Sequence, residues 1–265
     1  MEGPITSTQN SLVKAVVRLR DRRERDTTGR FLIEGFRDLS RALGTKVEFE
    51  TLLTCPLLYL GSNEPDLVAA LESGGARVVE LAEDPFRKVA YRDRPEGLLG
   101  VAHRFDTSLG TLADPEPDAL YLVVEAIEKP GNLGTMLRTA DAVGAAGVIV
   151  CDPTTDPFNP NVVRASTGML FTMPLAVATS AEAIDWLGSH GVRTAATSPD
   201  TSLSIWEADM RPPVAIVIGA EQYGLSDQWL QNADLKIRIP MRGQADSLNA
   251  AMAAGIALFE ARRQG

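Results

Sequence analysis

Ile239-Pro240-Met241-Arg242-Gly243-Gln244-Ala245-Asp246-Ser247-Leu248-Asn249 runs directly into Ala250-Ala251-Met252-Ala253-Ala254-Gly255-Ile256-Ala257-Leu258-Phe259. A loop dense in hydrogen-bonding groups thus feeds an alanine-rich helix. Pro240 fixes φ and removes a donor, Gly243 lets the chain turn, and Asp246, Ser247 and Asn249 are able to cap the helix or face a ligand. After Asn249 no side chain is polar until Glu260. Leu248, Met252, Ile256 and Phe259 recur at helical spacing, and Ala250, Ala253, Ala257 and Ala261 form a second stripe of small residues. Both faces therefore expect cover, one from the core and one from a partner.

Working outward, the second half of the chain alternates strand and helix. Strands are expected at 121–125, 147–151, 192–197, 215–218 and 236–239, with helices at 133–143, 161–167, 181–190, 227–232 and 247–263. Continuous apolar strands separated by helices predict a parallel sheet covered on both faces. The first half gives a smaller α/β pattern, with strands at 30–35, 51–60, 77–81 and 97–102 and helices at 36–43, 64–73 and 85–90. Residues 8–24 read as one basic amphipathic helix. The expected organisation is a basic arm (1–25), a small domain (26–103), a Pro- and acid-rich linker (104–118) and a main domain (119–265).

The chain has 265 residues, 45% of them hydrophobic, enough for a substantial core. Its formal net charge is −9, which by itself opposes a nucleic-acid partner. The distribution is uneven: residues 1–30 carry +3, residues 31–118 carry −7 and residues 119–265 carry −5. Arg20, Arg22 and Arg23 stand in the basic segment, although such mixed-charge arms are more often solvated helix surface. Cys55 and Cys151 make no disulfide framework, and with only His103 and His190 beside them there is no metal cluster. No signal-like or membrane-spanning pattern is found, and a cytoplasmic location with no membrane partner is the expectation.

Ligands of parallel α/β sheets bind beyond the carboxyl ends of the strands, so the loops leaving those strands carry the chemistry. Three are unusual. Strand 121–125 leads into Glu128-Lys129-Pro130-Gly131-Asn132-Leu133-Gly134-Thr135-Met136-Leu137-Arg138. Strand 215–218 leads into Gly219-Ala220-Glu221-Gln222-Tyr223-Gly224-Leu225-Ser226. The third is the opening stretch, 239–249. Singly, a Gly-rich turn after a strand is packing chemistry more often than ligand chemistry, and Asn132 or Asn249 could each be a plain helix cap; dinucleotide, P-loop, zinc-protease and serine-hydrolase signatures are absent.

Asn132-Leu-Gly-Thr-Met-Leu-Arg138, Ile218-Gly-Ala-Glu221-Gln-Tyr-Gly224-Leu-Ser and Ile239-Pro-Met to Ser247-Leu-Asn249 resemble the three motifs of the SpoU (TrmH-type) RNA ribose 2′-O-methyltransferases of the SPOUT superfamily. Ile5-Thr-Ser and Phe31-Leu-Ile-Glu-Gly35 resemble that family's N-terminal substrate-binding domain. The resemblance implies a parallel-sheet catalytic domain with a C-terminal trefoil knot, S-adenosylmethionine as methyl donor without a metal, and a homodimer with the alanine stripe at its interface. It implies that Ile218, Gly219, Ala220, Ile239, Met241 and Leu248 hold the cofactor. Asn132, Arg138, Glu221, Ser247 and Asn249 would form the catalytic cluster, with Glu221 orienting Arg138 or accepting the ribose proton through water. Arg164, with Arg20, Arg22 and Arg23, is a candidate RNA contact. Ribosomal RNA is preferred to tRNA because of the extra domain, and the methylation is either housekeeping or protective against an antibiotic. A non-catalytic RNA-binding or ribosome-assembly factor on the same fold, and a small-molecule methyltransferase, are the alternatives. The pair Gln222-Tyr223 departs from the smaller or more acidic residues often found after the second-motif glutamate.

Overall fold

A computed structural model describes residues 3–265. In chain order the elements are α1 (Ser11–Arg18), α2 (Arg22–Thr28), β1 (Arg30–Glu34), α3 (Phe36–Ala42), β2 (Glu48–Thr54), α4 (Glu64–Ser73), β3 (Arg77–Glu80), α5 (Glu83–Val89) and β4 (Leu98–His103). They continue with β5 (Leu120–Glu125), α6 (Pro130–Ala142), β6 (Gly147–Cys151), α7 (Pro160–Ser166), α8 (Met169–Thr172), β7 (Leu175–Ala178) and α9 (Ser180–Ser189). The last five are β8 (Arg193–Thr197), β9 (Val214–Ile218), α10 (Asp227–Asn232), β10 (Leu235–Ile237) and α11 (Ala250–Gln264). Two compact units result: residues 1–105 with 156–172, and residues 106–155 with 173–265.

The first unit holds a four-stranded sheet in the order β1-β4-β2-β3, antiparallel except for the parallel pair β2 and β3. Val13, Val16 and Leu19 pack into its core with Leu32, Leu53, Phe86, Val89 and Leu99. The N-terminal segment is thus built into the unit, not carried as a separate arm. Nor is it one helix. Leu19 to Asp21 break it, and the buried Arg25 guanidinium donates to the Leu19 and Arg20 carbonyls at 3.0 and 2.7 Å, satisfying groups that leave the helical ladder there. The expected strand over 51–60 ends at Thr54, because Pro56 opens a single tight turn and brings no amide donor. Residues 156–172, expected in the main domain, belong to this unit: Phe158 and Phe171 pack on Phe31, their ring centroids 4.9 and 6.3 Å from it.

The second unit is a six-stranded, wholly parallel sheet in the order β10-β8-β9-β5-β6-β7. Every residue of β5, β6 and β9 is buried, which is why these segments read as unbroken apolar runs. Helices α9 and α10 cover one face through Leu187 and Trp229. Helices α6 and α11 contact the strands and each other on the opposite side. Strand β7, Leu-Ala-Val-Ala, was not expected: four residues between helices are too few to show a period.

The last helix corrects the sequence reading on two points. It begins at Ala250, not 247, with Asn249 as its cap accepting from the amides of Ala251 and Met252. The small residues Ala250, Ala254, Ala257 and Ala261 are buried within the protomer, whereas Met252 and Phe259 are 60% and 56% exposed. The alanine face therefore serves close packing inside the unit, and the bulky apolar face is the one left outward. Arg262 ties α11 to the end of α6 by donating to the Val143 and Gly144 carbonyls at 2.8 and 2.7 Å. Among the described residues, no helix is long and apolar enough to cross a membrane.

Candidate active site

The sheet order reverses at β5: the chain first proceeds outward through β6 and β7, then returns to place β9 on the other side of β5. Carboxyl ends of strands flanking such a reversal open a crevice. Here the loops leaving β8, β9 and β10 enclose a cavity of about 410 Å³. Ile218, Gly219, Ala220, Ile239, Met241 and Leu248, the six residues expected to hold a cofactor, all line it, together with Glu221 and Ser247.

Its wall depends on a tight hairpin. Ala220 N–H donates to the Gly224 carbonyl at 3.0 Å and Gly224 N–H returns to the Ala220 carbonyl at 2.9 Å, with Gly224 at φ 69°. Gly219 lies so close to this turn that a Cβ would fall 2.2 Å from Gly224 C and 2.3 Å from Leu225 N. Only glycine fits, and the space where a side chain would stand is backbone. The far end of the loop is pinned by buried Glu125, which accepts from Ser226 N at 2.7 Å and from the Ser226 and Ser180 hydroxyls at 2.6 and 2.9 Å. Trp229 Nε1 donates to the same Ser180 oxygen at 3.0 Å, so the β5 and β9 exits share one hydrogen-bonded anchor.

From the catalytic set, three side chains form a relay. Asn249 Nδ2 donates to Asn132 Oδ1 at 3.1 Å, and Asn132 Nδ2 donates to Glu221 Oε1. Glu128 N–H reaches Glu221 Oε2 at 3.4 Å. Residues 89 and 117 apart in sequence are thereby joined. Arg138 is not part of the relay. It is exposed, does not line the cavity, and among the described residues has no ion pair or side-chain hydrogen bond. The expected orientation of Arg138 by Glu221 is therefore not formed. Glu221 sits at the start of α6, opposite Asn132, and six residues of helix carry Arg138 about 9 Å further along.

Several lining residues carried no mark in the sequence reading. Thr197 ends β8, Ser198, Pro199 and Asp200 follow it, and all four line the same cavity; the strand-end rule applied to that strand would have found them. Tyr223, at the hairpin tip, is 78% exposed. Cys151 ends β6, and burial, with Asp152 and Glu125 adding, pushes its thiol far above the usual value, so no thiolate nucleophile is present there. No group of three or more metal-ligating side chains occurs among the described residues.

The four arginines singled out for RNA all lie in the first unit. Arg20 donates to the Lys88 and Ala90 carbonyls at 2.8 and 2.6 Å, and Arg22 pairs with Asp26 at 3.6 Å. Arg23 and Arg164 are exposed, and neither has a side-chain partner among the described residues.

Residues 119–259 match the SpoU rRNA methylase family, and residues 10–100 match the MRM3-like substrate-binding domain. The chain belongs to the SpoU rRNA methylase family. It is 31% identical to the 23S rRNA (guanosine(2553)-2′-O)-methyltransferase RlmP of Bacillus subtilis (strain 168), over 97% of this chain and 98% of that protein. Among solved structures, an RNA 2′-O ribose methyltransferase superposes with a TM-score of 0.85 at 42% identity, covering 99% of both chains. The AdoMet-bound rRNA methyltransferase from Sinorhizobium meliloti gives a TM-score of 0.90 at 35% identity, covering 98% of this chain and 97% of that one.

Proposed function

We propose that the protein transfers a methyl group from S-adenosylmethionine to a ribose 2′-hydroxyl of ribosomal RNA. The observation that carries this reading is the convergence of the second and third motif segments on one cavity, with Gly219 at its wall, and of all three on the relay through Asn132. The cavity fits the cofactor in chemical type. Ile218, Ile239, Met241 and Leu248 offer apolar contact, while the glycine-bounded hairpin brings backbone polar groups to the ligand without side chains in between. When bound, the cofactor supplies an electrophilic methyl group. The AdoMet-bound S. meliloti relative supports that assignment. A chain crossing after β10 to reach α11, with the hairpin 219–226 beside it, is consistent with the trefoil knot of the superfamily.

The protein's own part is alignment and charge control. A 2′-hydroxyl is a poor nucleophile until it is positioned and its proton is removed. Asn132 is held by Glu221 on one side and Asn249 on the other, so its amide is fixed in one orientation. Ser247 borders the cavity and supplies a hydroxyl to orient the ribose. Arg138 has no lone pair to accept a proton. Its unpaired guanidinium grips a phosphate next to the target ribose and stabilises the developing alkoxide. Glu221 is the acceptor of the relay and receives the ribose proton through water.

The test is transfer of labelled methyl from S-adenosylmethionine to protein-free 23S rRNA, with 16S rRNA and total tRNA as parallel substrates, followed by mapping of the 2′-O-methyl position. Label in the 23S fraction at a ribose is expected. Label at a base, in tRNA alone, or nowhere would overturn the reading.

Homodimerisation through α11 belongs to the same proposal. Met252 and Phe259 present large apolar surface on the helix that follows the third motif, and such a patch next to a site marks an interface. Met252→Glu is expected to shift the protein from dimer to monomer in sedimentation equilibrium, with methyl transfer falling alongside. A wild-type protein that is monomeric at micromolar concentration would refute it.

A further inference from the structure

Most arginines of the N-terminal segment are engaged within the protein. Besides Arg20 and Arg22, Arg18 pairs with Glu24 at 3.3 Å and Arg25 is buried against Asp156 at 2.7 Å. Elsewhere in the same unit, a groove of about 870 Å³ has Arg37, Arg92, Arg94 and Arg164 in its wall. Arg92 is held by Asp38 and Glu96 at 2.8 and 2.9 Å and donates to the Glu34 carbonyl at 2.6 Å. Arg37, Arg94 and Arg164 are exposed, and among the described residues they have no ion pair or side-chain hydrogen bond.

The acidic residues of the wall are largely occupied. Asp38 and Glu96 face Arg92, and Glu64 accepts from the amides of Leu60 and Gly61 at 3.0 and 2.8 Å, leaving Asp93 open. The charges of the wall cancel formally, so the groove has little long-range pull and recognises by contact. Its free cationic donors are three guanidiniums. Apolar surface stands beside them, with Phe36 half-buried and Leu60 77% exposed. The groove is held in shape: Arg41 donates to the Thr167 carbonyl at the end of α7, three residues beyond Arg164. Gly35, at φ 98°, leaves room for Arg92, whose guanidinium would stand 2.8 Å from a Cβ there.

We propose that this groove, and not the N-terminal helix pair, grips a short single-stranded stretch of the RNA substrate. Arg37, Arg94 and Arg164 contact successive phosphates, and Phe36 offers its ring to an unstacked base. This rests on the reading that the protein acts on RNA. A duplex keeps its bases stacked and could use only the phosphate contacts, so the pairing of an aromatic ring with free guanidiniums favours an unpaired strand.

The test uses the full chain and a labelled, mixed-sequence oligoribonucleotide, as single strand and as duplex, titrated over a range of salt. The triple variant Arg37→Gln/Arg94→Gln/Arg164→Gln is expected to bind the single strand at least tenfold more weakly than wild type. Its log K against log salt slope should be shallower by about 2, roughly 0.7 for each of three lost phosphate contacts on a single strand. Arg22→Gln/Arg23→Gln should bind within about twofold of wild type, given that mixed-charge helix surface is usually solvated. An unchanged thermal unfolding midpoint and far-UV circular dichroism in the triple variant confirm that the fold is intact. Wild-type affinity and slope in the triple variant, or an equal loss on the duplex, would overturn the groove. Methyl transfer by the wild-type protein to 23S rRNA separates the two readings. With transfer present and binding by the triple variant undiminished, the groove alone fails. With transfer absent and the binding loss observed, the groove stands and the enzyme assignment fails.

Discussion

Arg138→Ala is expected to bind S-adenosylmethionine as wild type does and to lose methyl transfer by about 10²–10³-fold, the scale for removing one preorganised donor to a developing oxyanion. The two halves of this expectation have separate structural grounds. Arg138 does not line the cofactor cavity, and among the described residues it has no partner, so its removal breaks no contact that holds the fold or the cavity. What it removes is an unpaired cation on α6, the helix whose first turn carries Asn132. Arg138→Lys separates two roles for that cation. If a bidentate grip on phosphate matters, lysine restores only part of the activity, because an ammonium cannot reproduce the planar fork. Calorimetry for the cofactor and single-turnover transfer on 23S rRNA measure both quantities. A rate within threefold of wild type would remove Arg138 from the reaction.

Gly219→Ala should act in the opposite way, weakening cofactor binding first. The added methyl would lie 2.2–2.4 Å from the backbone of Gly224 and Leu225, distances that no side-chain rotation relieves. Relief requires the hairpin to open, which sacrifices the paired Ala220 and Gly224 hydrogen bonds and strains the Glu125 anchor at Ser226. Forcing such overlap costs about 1–3 kcal/mol in a packed interior, and more where backbone must move. We therefore expect a thermal midpoint lower by several degrees and cofactor affinity lowered by about 100-fold, the equivalent of 2.7 kcal/mol at 1.36 kcal/mol per decade. A variant that binds the cofactor normally would show that the hairpin is not the wall of its site.

The lining of the cavity was legible from sequence because it is built from contiguous motif segments that follow strands β9 and β10. Ile218 and Gly219 line the cavity by virtue of where β9 ends, and Leu248 does so from the segment just before α11. The partners of charged groups were not legible. Glu221 was expected beside Arg138 and meets Asn132; Arg20 was a candidate RNA contact and is spent on backbone carbonyls, while Arg25, in the same basic segment, is buried against Asp156. Composition reports that a charge exists, and says nothing of the long-range neighbour that satisfies it.

The same division holds for the helices and strands. By itself the sequence determined the alternation of strand and helix, the buried β5, β6 and β9, and the three loop segments that meet through Asn132, Glu221 and Asn249, since apolar periodicity and glycine placement are local properties of the chain. The tertiary structure alone decided that the alanine face of α11 turns inward and Met252 and Phe259 outward. It also moved residues 156–172 into the first unit and left Arg37, Arg94 and Arg164 unpaired around one groove. Those outcomes depend on which elements cross beside each other, and a helix with two apolar faces does not record which one the core will take.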